Sequence, residues 1–374
     1  MIAYLDYAAT TPLDPEVLAA MHPYLESAFA NPSSLHRAGQ QARRAVEEAR
    51  EQVAAAIGAK PKEIVFTSGA TEADNFALRA AAALRPGAIV TSTLEHAAVL
   101  QTAKQLEREG REVRYLTPNA RGEITREALR DALQGEVALV ALMLVNNETG
   151  AISDVAAFSR AAREAGALVF CDAVQGFGTL PIDVDALGVD LLALSGHKVY
   201  GPKGVGVLYV CEGLELPPLL VGGEQERGLR AGTLNVPAIV GMGKAAALAR
   251  ERWREDAEAI GALRDALEAK LLDVPGVRVN AALAPRGPKH LNVSVSSVDG
   301  EALLFTLDTL GVYVSAGSAC AAGSLEPSHV LTAMGLSREE AKASVRFSLG
   351  RGVTLEAIAH AAEAFAVAVE RCRR

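Results

Sequence analysis

Between Ile64 and Val210 the chain alternates short apolar runs with stretches of helical period, and this alternation limits the fold more than any other feature. Val137–Val145 is its clearest member, an unbroken apolar run with no polar face to offer water. A strand of that kind is buried on both faces, as happens in parallel sheets with helices packed on each side. Around it the sequence predicts strands at Ile64–Thr67, Ala88–Ser92, Val113–Leu116, Ala167–Cys171, Val189–Leu194 and Val205–Val210. Helices are expected from about Thr71, over Ala97–Glu109, over Thr125–Leu133 and over Asp154–Ala165, with Gly110 and Gly166 as stop signals. An earlier helix is read from Arg37 to Ile57, where Ala42, Ala45, Val46, Ala49 and Val53 recur at helical spacing. The expected fold class is α/β, with a mostly parallel sheet covered by helices.

Beyond Pro237 the pattern changes. A long helical region runs with charged faces towards Leu272, expected to contain a break, and Pro275-Gly276 ends it. Strands are then predicted at Leu291–Val295, Val312–Ser315 and Val345–Leu349, with helices at Glu301–Leu310 and Thr354–Arg371. This reads as a smaller α+β domain. A chain of 374 residues suits a large domain joined to a smaller one. The expected division is residues 13–250 for the large domain, and 1–12 with 251–374 for the small one. The first dozen residues are too short to fold alone and must pack on one of the two.

The net charge of −8 gives no support to nucleic acid as a partner. The four cysteines, Cys171, Cys211, Cys320 and Cys372, form no C-x-x-C pair, which argues against a metal site and against a secreted disulfide framework. No basic stretch leads into an apolar run near Met1, and no uninterrupted apolar stretch reaches about 18 residues. A cytoplasmic protein without a membrane segment is expected.

In a parallel sheet, ligands bind beyond the carboxyl ends of the strands, so the residues that follow each strand carry the chemistry. Here these are Ser68-Gly69-Ala70-Thr71, His96, Asn146-Asn147-Glu148, Asp172 with Gln175, and Ser195-Gly196-His197-Lys198. A lone lysine in such a loop is ordinary. Beside a phosphate cup and a buried acid it becomes the amine that forms a Schiff base with pyridoxal phosphate (PLP). Asp172 supplies the acid: a carboxylate at the end of a buried strand is costly unless paired, and a pyridinium nitrogen would pair it. The small residues at Ser68–Thr71 let backbone N–H groups approach a phosphate at a helix N-terminus. His96 is placed to stack on the ring and exchange protons with it.

Two further residues stand out. Cys320 sits in Ser315-Ala316-Gly317-Ser318-Ala319-Cys320-Ala321-Ala322-Gly323-Ser324, a loop composition unlike the apolar neighbours of Cys171. Such a thiol has the access that reactivity requires. Arg346 alternates with apolar residues in Ser344-Val345-Arg346-Phe347-Ser348-Leu349. Its planar fork suits a substrate carboxylate, and an interdomain ion pair is the equal alternative.

Taken in order, these motifs resemble the cysteine desulfurases. The resemblance rests on Leu5-Asp6-Tyr7-Ala8-Ala9-Thr10-Thr11-Pro12, Asn31-Pro32-Ser33-Ser34, Phe66-Thr67-Ser68-Gly69-Ala70-Thr71-Glu72, Val145-Asn146-Asn147-Glu148, Ser195-Gly196-His197-Lys198, Arg230-Ala231-Gly232-Thr233 and Gly317-Ser318-Ala319-Cys320. It covers nearly the whole chain, and the Cys320 segment is similar to the group I branch. It implies a PLP fold-type I homodimer of the class V aminotransferase superfamily, with active sites at the dimer interface. It assigns Lys198 to the Schiff base, Asp172 to the pyridinium nitrogen, His96 to the ring stack and Gln175 to the ring hydroxyl. Ala70, Thr71, Ser195 and His197 become phosphate ligands, Thr233 reaches in from the other subunit, and Asn147 and Arg346 hold the substrate carboxylate. The implied reaction converts L-cysteine to L-alanine and leaves the sulfur as a persulfide on Cys320, for an acceptor such as an iron–sulfur scaffold. A PLP aminotransferase, a selenocysteine lyase and a catalytically silent partner protein are the alternatives.

Overall fold

The computed structural model describes residues 1–317 and 326–373; Cys320 lies outside them. The chain begins with a short strand β1 (Ala3–Tyr4), then α1 (Pro15–Glu26) and α2 (Arg37–Ala56). Asp14 starts α1 by accepting from the Glu16 N–H at 2.9 Å, with Pro15 in the first turn, where its missing N–H costs nothing. The βα series follows: β2 (Ile64–Thr67), α3 (Ala70–Leu84), β3 (Ala88–Ser92), α4 (Ala97–Arg108), β4 (Val113–Leu116), α5 (Arg126–Ala132), β5 (Val137–Met143), α6 (Val155–Glu164), β6 (Leu168–Asp172), α7 (Val184–Leu187), β7 (Leu191–Ser195) and β8 (Gly206–Val210). Among the described residues these strands form a 7-stranded sheet of order β2-β8-β7-β6-β5-β3-β4. The central pairings are parallel, and β8 runs antiparallel to both β2 and β7.

The pleat explains why these strands are apolar throughout. On β6, Val169 and Cys171 enter the core beneath α2 and α6, while Leu168 and Phe170 enter the core beneath α3 and α4. Successive side chains point to opposite faces, and here both faces are covered. Cys171 is fully buried, as its apolar neighbours suggested.

α8 spans Val236–Leu272 as one 37-residue helix. The break expected in this region is absent. Its glycines serve close packing instead: a Cβ at Gly243 would lie 2.6 Å from the Ala49 backbone on α2, and one at Gly241 would lie 2.6 Å from the Met21 sulfur on α1. The first half of α8 buries Ile239, Met242 and Ala246 against the large sheet's core, and its far end buries Ile260, Leu267 and Leu271 in a second core.

That second core is built on β9 (Val277–Val279), β10 (His290–Val295), α9 (Gly300–Thr309), β11 (Val312–Tyr313), α10 (His329–Ala333), α11 (Arg338–Lys342), β12 (Ser344–Ser348) and α12 (Leu355–Cys372). β10 lies between β12 and β9, antiparallel to both. Leu291, Val293, Val345 and Phe347 pack there against Phe365 of α12. The N-terminal segment joins this core first, through Ala3 and Leu5, with β1 parallel to β11. It then crosses to the rim of the large sheet, where the Thr11 N–H donates to the His197 carbonyl at 2.9 Å. Among the described residues no helix is long and apolar enough to cross a membrane.

Candidate active site

The carboxyl ends of the central strands open into a cavity of about 460 Å³. β6 delivers Asp172 and β7 delivers Ser195, after which a 3-10 turn carries His197 and Lys198. The Asn147 turn follows β5, His96 caps α4, and Ala70 and Thr71 open α3. Arg346 comes across from β12. The cavity therefore gathers Ala70, Thr71, His96, Asn147, Asp172, Gln175, Ser195, His197, Lys198 and Arg346. Thr233 does not line it; it is exposed on the segment that leads into α8, and the resemblance assigned it to a second subunit's site.

Lys198 is held by the N-terminal crossing. Its Nζ donates to the carbonyl oxygens of Ala8 at 2.6 Å and Ala9 at 2.7 Å. The next turn is strained, with Tyr200 at φ 62. Three contacts hold it there: the Tyr200 N–H donates to Thr11 Oγ1 at 2.8 Å, its hydroxyl accepts from the Arg351 N–H at 2.6 Å, and the Arg351 guanidinium lies 3.7 Å from its ring centre.

At the end of the cavity formed by α3, the N-cap is Gly69, which supplies no side chain to the first-turn N–H groups. Those groups face the cavity together with Ser68, Lys203 and Gly204. A helix N-terminus left in this state is an anion site. Gly206 on β8 lets Gly69 approach: a Cβ there would sit 2.5 Å from the Gly69 carbonyl carbon. His197 Nδ1 lies 3.2 Å from Thr10 Oγ1. Burial, with Lys198 and Lys203 adding to it, pushes His197 down to about 4, so its ring is neutral at neutral pH.

Asp172 accepts from the Val174 N–H at 3.0 Å. Burial raises its carboxyl, and His96, the Val174 N–H and Lys198 oppose that rise. Two buried carboxyls nearby escaped the sequence reading. Glu95 accepts from the Ser92 hydroxyl at 2.6 Å and is pushed up to about 8, chiefly by burial. Asp74, on α3, lines the cavity, and neither of its oxygens has a hydrogen-bond partner among the described residues. Its signal was available: Asp74 precedes the buried Ala77 and Leu78 by three and four residues, on the apolar stripe of its helix.

On the opposite side, Arg346 is 1% exposed. It donates to Asp6 Oδ1 at 2.7 Å and to the Asn147 carbonyl at 2.9 Å. Arg346 thus makes an ion pair, with Asp6 of the N-terminal segment, and also lines the cavity. Gln175 Nε2 donates to the Ala8 carbonyl at 3.0 Å. Gln175 Oε1, Asn147 Oδ1 and Arg346 Nε are buried without partners among the described residues. Buried polar atoms left open in this way cost free energy unless a ligand completes them. Behind Arg346 lies Lys289, also missed by the sequence reading, which burial, Lys198 and Arg346 push down to about 7.

The model of the aminotransferase class-V family matches residues 3–360. A cysteine desulfurase of Trichormus azollae is 46% identical over 375 residues, spanning 100% of this chain and 94% of the relative. The chain belongs to the aminotransferase class-V family, among its cysteine desulfurases. Within that family, the cysteine desulfurase IscS of Anaeromyxobacter dehalogenans is 48% identical over 379 residues, 99% of this chain and 93% of its own. A solved NifS-like protein superposes with a TM-score of 0.93 at 37% identity, covering 99% of this chain and 100% of its own. The structure of SspA in complex with cysteine gives a TM-score of 0.84 at 40% identity, covering 93% of this chain and 99% of its own. The mixed α/β architecture with its mostly parallel sheet is that of these family members.

Proposed function

We propose that this class-V family member is a PLP-dependent cysteine desulfurase that converts L-cysteine to L-alanine and holds the sulfur as a persulfide on Cys320. The observation that carries this reading is the meeting, in one cavity, of an amine (Lys198), a buried carboxyl (Asp172), an uncapped helix N-terminus (Ala70, Thr71) and a buried guanidinium (Arg346).

The residues fit PLP by their open valences. Gln175 Oε1 is an acceptor without a donor, the α3 N–H groups lack a side-chain cap, and Asp172 is a buried carboxyl in need of a cation. When bound, PLP supplies the electron sink that makes the substrate's Cα proton removable. Lys198 anchors the cofactor and then carries that proton at Nζ. Asp172 pairs with the ring nitrogen, His96 covers the ring, and Ala70, Thr71, Ser195 and His197 hold the phosphate, with Thr233 supplied by the second subunit of a homodimer. Asn147 and Arg346 orient the substrate carboxylate, Arg346 by donating its open Nε–H and Asn147 by donating its side-chain amide N–H. The Cys320 thiolate attacks the substrate sulfur, the Cβ–S bond breaks, and carbon takes the electron pair and a proton to become alanine.

The same reading divides the chain at residues 13–250 against 1–12 with 251–374. It makes the protein a cytoplasmic donor of sulfur to an acceptor such as an iron–sulfur scaffold. Incubation with L-cysteine under a thiol reductant should yield alanine and sulfide in equal amounts. Cys320→Ala should keep the cofactor and lose sulfide release; full turnover by that variant overturns the role of Cys320. Amine transfer dependent on a keto acid, with no sulfide, would favour an aminotransferase instead.

A further inference from the structure

Asp172, Asp74 and Glu95 are three buried carboxyls close enough to act on one another, and Asp74 and Asp172 both line the cavity. Such a cluster cannot be fully ionised without matching cations, because like charges at close range in a dry site force protons on. The groups that face it are few. His96 and Lys198 act on Asp172, and the Val174 N–H donates to it. Glu95 takes the Ser92 hydroxyl. On α3, Glu72 is already paired with Arg230 at 2.8 Å. On β6, the Cys171 thiol is pushed well up by burial and by the neighbouring acids. Among the described residues no favourable charge or hydrogen bond reaches Asp74; burial, Asp172 and Glu95 all act against its ionised form.

We propose that Asp74 keeps a proton while Asp172 is ionised, and so serves as a neutral positioning residue beside the carboxylate that meets the cofactor ring. The division follows from the contacts: the negative charge settles on the acid that has an N–H donor and cationic neighbours. The neighbour without them stays a carboxylic acid, with one donor hydrogen to give and a wall position from which to give it. An ionised Asp74 would instead compete with Asp172 for the charge of the ring nitrogen. The inference rests on the PLP reading of this cavity, and the test separates the two.

Infrared spectra of the purified holoenzyme at neutral pH should contain the carbonyl band of neutral carboxylic acids. Asp74→Asn should remove one group's share of that band, and Glu95→Gln should remove another, independently. Because Asn is neutral and can donate, Asp74→Asn should leave the pH profile of the cofactor's visible absorption unchanged. Asp74→Ala should shift that profile by about one pH unit, a tenfold change in the proton equilibrium. An unchanged infrared band in Asp74→Asn, or a profile shifted in Asp74→Asn as far as in Asp74→Ala, overturns the proposal. Should Asp74→Ala fail to fold, the infrared arm on Asp74→Asn still decides. A protein that takes up no PLP sinks the functional reading, while the band measured on that same protein still reports the proton on Asp74.

Discussion

Lys198 Nζ lies 2.6 Å from the carbonyl oxygen of Ala8, a residue 190 positions away in the chain. The segment that supplies this carbonyl is itself anchored in the second core, where Ala3 and Leu5 are buried and β1 pairs with β11. Thr11 completes this brace by donating to the His197 carbonyl and accepting from the Tyr200 N–H. Thr11→Val keeps the shape and removes the hydroxyl. It should cost about 1–2 kcal/mol of stability and loosen the turn that holds Lys198. Thermal melts and the visible absorbance of the purified holoenzyme check both effects. A variant with wild-type melting and colour would show that the strained Tyr200 turn needs no such support.

Gly206→Ala should weaken cofactor binding with little change in the rest of the fold. The added Cβ meets Gly69 backbone at 2.5 Å, and backbone cannot swing aside. The N-terminus of α3 must then shift, taking the cavity-facing N–H groups with it. A loss of at least about tenfold in PLP affinity is expected, equal to about 1.4 kcal/mol. Fluorescence titration of the apoprotein with PLP measures it.

Arg346→Lys should separate binding from stability. Lysine keeps the charge beside Asp6 but cannot serve Asp6, the Asn147 carbonyl and a substrate carboxylate together. KM for cysteine should rise at least about tenfold, with a modest fall in melting temperature. Arg346→Ala should also destabilise the protein by about 3 kcal/mol, because Asp6 loses its buried partner. Steady-state kinetics and denaturant melts distinguish the two variants.

Lys289→Met should stabilise the protein, and the gain should depend on pH. The folded amine titrates near 7 against 10.5 for the free group, because burial disfavours its charge. Between those values the unfolded chain binds the extra proton, so stability conferred by the neutral form is lost as pH falls from 10.5 towards 7. The Met variant lacks this penalty. Its advantage should be about 2–4 kcal/mol at pH 7 and should shrink towards pH 10. Equal advantages at the two pH values in paired denaturant melts would falsify the assignment of a neutral buried amine.

The strands were largely readable because burial on both faces leaves an unbroken apolar signature. β2, β3 and β4 match their expected limits, and β6 ends one residue later than expected, on Asp172 itself. The site lysine, histidine and amide turn were readable because each follows such a strand. α8 shows the opposite case. A break is the reading of the sequence alone, yet the helix runs unbroken, with Gly241 and Gly243 where Met21 and Ala49 press against it. Lys289 was hidden for a related reason: between Pro288 and His290 it looks like a solvated loop lysine until the neighbours that bury it are known, whereas Asp74 was signalled only by its place on the apolar stripe of α3.

The sequence by itself determined the α/β architecture and the polar residues at the strand ends, since the periods of side-chain direction and the rule of binding beyond parallel strands are local properties. Only the tertiary structure decided which carbonyls hold Lys198, that Asp6 and Asn147 both take Arg346, and that Asp74 and Glu95 lie buried near Asp172. Those facts join residues far apart in the chain. They follow from how the N-terminal crossing and β12 pack against the large sheet, and from burial, which sets each group's charge.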